Sequence, residues 1–150
     1  MTRDSIREGL VELALRVEAA TGPDRELDAL IRCAVFAPEG ACVEKSPHNG
    51  AWCIYDGKDR QGRSRLWEPR TLTRLQRLGE FTASLDAAMS LVPEGWAICT
   101  GHGVEGEQGS YFTILTYLDP ETESETVREA TGDNWAATVC AAALRAKAQS

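Results

Sequence analysis

The eight residues Tyr111-Phe-Thr-Ile-Leu-Thr-Tyr-Leu118 constrain this chain more than any other stretch. Successive side chains of a strand point to opposite faces of its sheet. Here both sets are apolar or aromatic: Tyr111, Thr113, Leu115 and Tyr117 on one face, and Phe112, Ile114, Thr116 and Leu118 on the other. A strand of this kind needs cover on both faces of its sheet. The remaining sequence must therefore supply layers to place against it.

It supplies amphipathic helices. Ile6, Leu10, Leu13, Ala14 and Val17 recur at helical spacing behind a capping-box pattern, Ser5-Ile-Arg-Glu8. Gly22-Pro23 ends that helix and opens a second, marked by Leu27, Leu30, Ile31 and Ala34. So tight a link predicts a helical hairpin at the N-terminus. Ser84 caps a third helix with Leu85, Ala88, Met89 and Val92. Asp133 or Asn134 caps the last, whose five alanines between positions 136 and 143 permit close approach to a sheet. Further strands are expected at Ala51–Tyr55, Ser64–Trp67, Trp96–Thr100 and Thr126–Ala130. Residues 37–50 read as a loop, and 70–81 show leucine spacing for a short helix with no clear cap. The expected fold is one domain over 1–150, of the α/β (α+β) class. A mainly antiparallel sheet is layered between helices, an α-β-α sandwich, with the helical hairpin leading.

Glycine spacing in Thr100–Ser110, TGHGVEGEQGS, matches G-x-G-x-x-G at Gly101, Gly103 and Gly106. A dinucleotide loop must open a helix whose N-terminal amides hold the phosphates. The doubly apolar strand follows here instead, and Glu105 and Glu107 would repel an anion. The stretch reads as a wide hairpin connection.

Catalytic and metal chemistry find little footing. His48 and His102 are the only histidines, and neither sits in a nucleophile–base pattern. Cys99-x-x-His102, with Cys42, His48 and Cys53, offers zinc-type donors. Three positions apart on an extended strand, however, Cys99 and His102 face opposite ways. No catalytic residue, metal or cofactor is assigned. The five cysteines, an odd number without a C-x-x-C pair, read as free thiols. No apolar run reaches the roughly 18–20 residues of a membrane span, and the charged N-terminus lacks the apolar core of a signal peptide. The expected location is the cytoplasm, with no membrane partner.

Charge is unevenly spread over a chain of net charge −7. Residues 58–77 hold seven cations against Asp59 and Glu68, while 105–133 hold eight carboxylates against Arg128. In the basic segment Arg60, Arg63, Arg65, Trp67 and Arg70 could hold phosphate and stack a base, which makes them candidate ligand-binding residues. The alternative is a solvated hairpin whose arginines pair with the chain's own carboxylates or with those of a second copy. In the acidic third, Glu105, Glu107, Glu121, Glu123 and Glu125 form a candidate partner surface.

Three stretches, GPDRELDALI (22–31), FTASLDAAMSLVPEGW (81–96) and NWAATVCAAALRAKA (134–148), occur together in this order. In that combination the chain resembles the small bacteriophage and prophage proteins of the phage ABA sandwich domain family. The resemblance covers about half the chain, leaves 37–80 outside, and brings no catalytic residues. It implies a sheet layered with helices and a phage or prophage origin. The expected function is that of a non-catalytic accessory protein in the host cytoplasm that binds and inhibits a host protein. A nucleic-acid-binding defence component fits, since the acidic third can imitate the charge of nucleic acid. Two alternatives are sequestration of a small nucleotide signal by the segment 58–77, and a role in the virion or its assembly.

Overall fold

The computed structural model describes residues 2–67, 72–103 and 110–149. Helix α1 (Arg3–Glu18) starts earlier than its capping-box pattern suggested. Thr2 is the N-cap and accepts from the Ser5 amide at 3.2 Å, so Ser5 lies within the first turn. Helix α2 (Arg25–Phe36) is capped by Asp24, which accepts from the Leu27 amide, and Pro23 stands just outside it. Strands β1 (Cys42–Lys45), β2 (Trp52–Lys58) and β3 (Ser64–Leu66) form one antiparallel sheet in that order. β1 falls where a loop was expected, because its four residues carry almost no apolar signal and depend on β2 for their pairing. The short helix α3 (Arg74–Leu78) does possess a cap: Thr73 and Gln76 form a reciprocal capping box. Helix α4 (Leu85–Met89) begins at its Ser84 cap as the sequence indicates.

The second antiparallel sheet has the order β4 (Ala97–His102), β5 (Tyr111–Leu118), β6 (Glu125–Gly132). β6 begins at Glu125, which pairs with Leu118, so this residue belongs to the strand rather than to the acidic loop. Helix α5 (Trp135–Lys147) closes the chain from an Asn134 cap. The fold is α+β, with two three-stranded antiparallel sheets and the N- and C-terminal helices packed on sheet β4-β5-β6. Helix α2 packs on β1 and β2 and also touches α1.

Helix α5 is the centre of the core. It contacts α1, α4, β5 and β6, and ten of its thirteen residues are buried. A helix enclosed on several sides leaves little room for side chains, and its alanines let every neighbour come close. Ala141, Ala142 and Ala146 are wholly or nearly solvent-free, as are Val139 and Leu144. Phe81, also fully buried, fills the space beside this helix and stacks with Phe36 at 6.4 Å.

Two polar assemblies fix the layers. The first surrounds Thr82, 1% exposed. Its hydroxyl accepts from the Asp24 amide at 2.8 Å and donates to Asp28 Oδ1 at 2.8 Å. Its own amide donates to the same Asp28 oxygen at 2.7 Å, and its carbonyl accepts from Asn134 Nδ2 at 2.8 Å. The start of α2, the segment before α4 and the start of α5 are thereby joined at one residue.

The second assembly holds α1 to the edge of β6. Arg145 grips Glu18 through two bonds of 2.9 Å. Glu18 Oε2 accepts from the Thr131 amide at 2.9 Å, and Arg145 donates to the Glu129 carbonyl at 2.8 Å. The ion pair satisfies backbone groups on the free edge of β6, a place where another chain could otherwise pair. The backbones come so close here that a Cβ on Gly132 would stand 2.7 Å from the Glu18 carbonyl oxygen.

Thr82→Val keeps the shape but strands the Asp24 amide and removes one bond to Asp28. A loss of about 2–3 kcal/mol is expected in urea unfolding. The Arg145 hydrogen bond holds the Glu18 carboxyl below its ordinary value, with burial opposing. A depressed carboxylate stabilises the fold at pH values above its unfolded pKa, and the effect fades as pH falls through the folded one. Glu18→Gln is therefore expected to cost about 1–2 kcal/mol at neutral pH. The difference from wild type should shrink to nothing in thermal melts taken below the native Glu18 pKa.

Candidate partner and ligand surfaces

The inward face of sheet β4-β5-β6 is complete. Thr113 and Leu115 are fully buried against α5, and Ile98 and Ala130 join them. A hydroxyl chain runs from Trp135 Nε1 to Thr100 (2.8 Å), on to Thr113 (2.8 Å) and to Thr138 (3.0 Å), so no member is left unpaired. At the end of this face His102 lies 4.7 Å from the Tyr111 ring, which stacks on Trp135 at 5.5 Å. His102 is thus part of an aromatic cluster.

The outward face differs. Phe112, Ile114 and Thr116 run along its centre and are only partly buried. Cys99 and Ala97 flank them on β4, and Val127 and Glu129 on β6. Leu118 is 62% exposed and Val127 43%. Helix α5 packs on β5 from the inward side.

The acidic hairpin 119–124 sits at the end of this face. Asp119 Oδ1 accepts from the Glu121 amide, the Glu123 amide donates to the Asp119 carbonyl, and the Asp119 amide donates to the Ser124 carbonyl. These bonds close a tight turn, and Glu123 takes φ +57° within it. Among the described residues it is the one non-glycine with positive φ. Such a backbone normally selects glycine or asparagine. Glu121, Glu123 and Glu125 are exposed and have no ion-pair partner among the described residues. Glu105 and Glu107 lie outside the described residues.

The basic segment is divided. Arg60 is exposed in the turn between β2 and β3. Arg63 Nε lies 3.0 Å from Asp59 Oδ2, and the Arg63 amide is the main cause that lowers the Asp59 carboxyl below its ordinary value. Arg65 donates to the Asp56 carbonyl at 3.0 Å and has its terminal nitrogen 4.0 Å from that residue's carboxylate. β3 ends at Leu66, one residue short of the expected strand, because Trp67 continues with a single backbone bond to the Ile54 carbonyl. No cation–π contact joins Trp67 to either arginine among the described residues. Arg70 lies outside the described residues.

The glycine loop is confirmed as a connection between paired strands. Gly101 lies within β4 opposite Phe112, and the Gly103 amide donates to the Ser110 carbonyl at 2.7 Å. Gly106 falls outside the described residues. Among the described residues no group of three or more His, Cys, Asp or Glu is placed to hold a metal. Cys42 and Cys53 are on the first sheet and Cys99 and His102 on the second, where Cys99 faces outward and His102 packs on Trp135.

One cleft had no signal in the sequence. About 510 Å³ of space lies between α2 and the β1–β2 hairpin, with Arg32, Asp28, Lys45 and Trp52 in its wall. Its residues come from segments about twenty positions apart, and only the packing of α2 on β2 unites them.

Searches against protein-family models, curated proteins and solved structures returned no match to this chain.

Thiol chemistry provides a check on this arrangement. Burial pushes the Cys140 thiol far up, and its sulfur donates to the Phe81 carbonyl. Cys42 and Cys99 are exposed. Under native conditions a thiol reagent followed by mass mapping should label Cys42 and Cys99 first. Cys140 should react only at the rate of global unfolding.

Proposed function

We propose that this is a non-catalytic phage accessory protein that acts in the host cytoplasm by binding and inhibiting a host protein. The surface it uses is the outward face of β4-β5-β6 together with the acidic hairpin at its end. One observation carries this reading: partly exposed Phe112, Ile114, Leu118 and Val127 adjoin the carboxylates Glu121, Glu123 and Glu125, which have no ion-pair partner among the described residues. Apolar side chains on an open sheet face favour a partner over water. Carboxylates around them select a partner with basic charge. Proteins that grip nucleic acid have such surfaces, and a nucleic-acid-binding defence component is the matching target. The phage assignment is supported by the resemblance carried by residues 22–31, 81–96 and 134–148.

Glu123 adds support. Glycine at φ +57° would cost less than glutamate, so stability alone does not account for this side chain. The competing reading, a nucleotide held on Arg63, Arg65 and Trp67, has less in its favour. Both arginines already face their own carboxylates, Asp59 and Asp56.

Native mass spectrometry of the protein recovered from host cells should show a complex with a basic protein. Glu121→Lys, Glu123→Lys and Glu125→Lys combined should weaken that complex at least about tenfold, as should raising the salt to roughly 0.5 M. Glu123→Gly separates fold from function: stability should rise by about 0.5 kcal/mol while binding falls. Binding indifferent to both charge and salt would refute the reading. Recovery of the protein in purified particles, with no host partner, would favour a virion role instead.

A further inference from the structure

The cleft between α2 and the β1–β2 hairpin combines three features that ordinary surface does not bring together. First, it holds uncompensated positive charge. Arg25 at its rim is engaged by Glu80 at 3.4 Å and by Asp28 at 3.9 Å. Arg32 and Lys45 have no carboxylate within 4.0 Å among the described residues. Arg32 instead donates to the Arg77 carbonyl at 2.7 Å. In a chain of net charge −7, two cations left without carboxylates in one cleft are poorly explained by stability.

Second, the cleft has an aromatic wall. Trp52 is half-buried, and Lys45, its partner across the strands, lies with Nζ 5.6 Å from the indole centroid. Third, two residues of its wall carry buried polar atoms that the fold leaves without a hydrogen bond. Among the described residues the buried side-chain polar atoms without a hydrogen-bond partner are Asp28 Oδ2 and Arg32 Nε, and both residues line this cleft. Buried polar groups are nearly always paired, so two orphans at one place call for a cause. Asp28 is 4% exposed and spends its other oxygen on Thr82.

We infer that this cleft binds a nucleoside monophosphate or a closely similar aromatic phosphate. The phosphate sits on Lys45 and Arg32, and the base lies against the Trp52 indole. Arginine and lysine both suit a phosphate, the one as a fork of donors and the other as a point charge. An indole accepts any base face, which supplies affinity without sequence reading. The volume of about 510 Å³ lies within the range of small-molecule sites and suits a single nucleotide. Arg25, 67% exposed and held at long range, can turn from its carboxylates toward the ligand. That movement opens the way to Asp28, whose free oxygen then accepts from an amino group of the base. The inference stands apart from the partner surface on β4-β5-β6, and either can fail without the other.

Isothermal titration with AMP, GMP, CMP and UMP, beside inorganic phosphate and a short single-stranded DNA, tests it. One-to-one saturable binding of at least one mononucleotide is expected, tighter than that of phosphate alone. Lys45→Ala, at an exposed position, should weaken it about tenfold, and Trp52→Leu by a similar factor. Arg65→Ala on the β2–β3 hairpin should leave it unchanged. Circular dichroism confirms that each variant folds, and Lys45→Ala suffices if Trp52→Leu does not. No binding by any mononucleotide overturns the inference, as does binding confined to the DNA. Binding that survives Lys45→Ala but is lost in Arg65→Ala also overturns it and moves the site to the hairpin.

Discussion

The bonds around Thr82 are the constraint on which the remaining structure depends. One small side chain and its backbone reach the Asp24 cap, the buried Asp28 carboxylate and the Asn134 cap. Asp24 and Asp28 belong to the start of α2, Asn134 begins α5, and Thr82 itself lies just before α4, so the positions of α2, the α4 segment and α5 are set jointly. Cys140 adds a bond from α5 to the neighbouring Phe81 carbonyl. The penalty for an unpaired buried group is what gives the arrangement its specificity. A shift of any one helix would leave several such groups unpaired at once. Burial pushes the Asp28 carboxyl above its ordinary value, against the two hydrogen bonds from Thr82 that lower it.

The stretches 22–31, 81–96 and 134–148 meet at this point. Asp24 and Asp28 come from 22–31, Phe81 and Thr82 from 81–96, and Asn134 and Cys140 from 134–148. Those residues therefore serve the architecture. The outward face of β4-β5-β6 and the acidic hairpin lie away from this point, while the cleft against α2 shares Asp28 with it.

Sheet β4-β5-β6 is protected on one side and open on the other. The Glu18–Arg145 pair occupies the Thr131 amide and the Glu129 carbonyl on the edge of β6, which hinders strand pairing there. The outward face has no such device. Phe112, Ile114 and Leu118 answer the apolar alternation read from the sequence, but helix α5 covers only the inward set. The acidic hairpin beside them keeps the face charged at its end.

Much of this was legible in the sequence. Periodicity located the long helices and the strand at 111–118, and Ser84 and Asn134 marked helix starts, because these signals are local. The glycine loop could be read as a link between two strands because the residues after it form a strand. Helix α1 started before its best-looking cap, since Thr2 serves as well as Ser5 and only the backbone selects between them. β1 was hidden because a four-residue strand with one half-buried position has no periodicity of its own. Charge counting placed the basic segment but not its pairing, and Asp56 and Asp59 lie against Arg65 and Arg63 only once the hairpin forms. The sequence by itself determined the class of fold, the main helices and the central strand, all carried by neighbours a few residues apart. The tertiary structure alone decided the rest, because burial, pairing and unpaired charge depend on residues far apart in the chain. It separated two sheets, chose the open face, and set Arg32, Lys45 and Trp52 around one cleft.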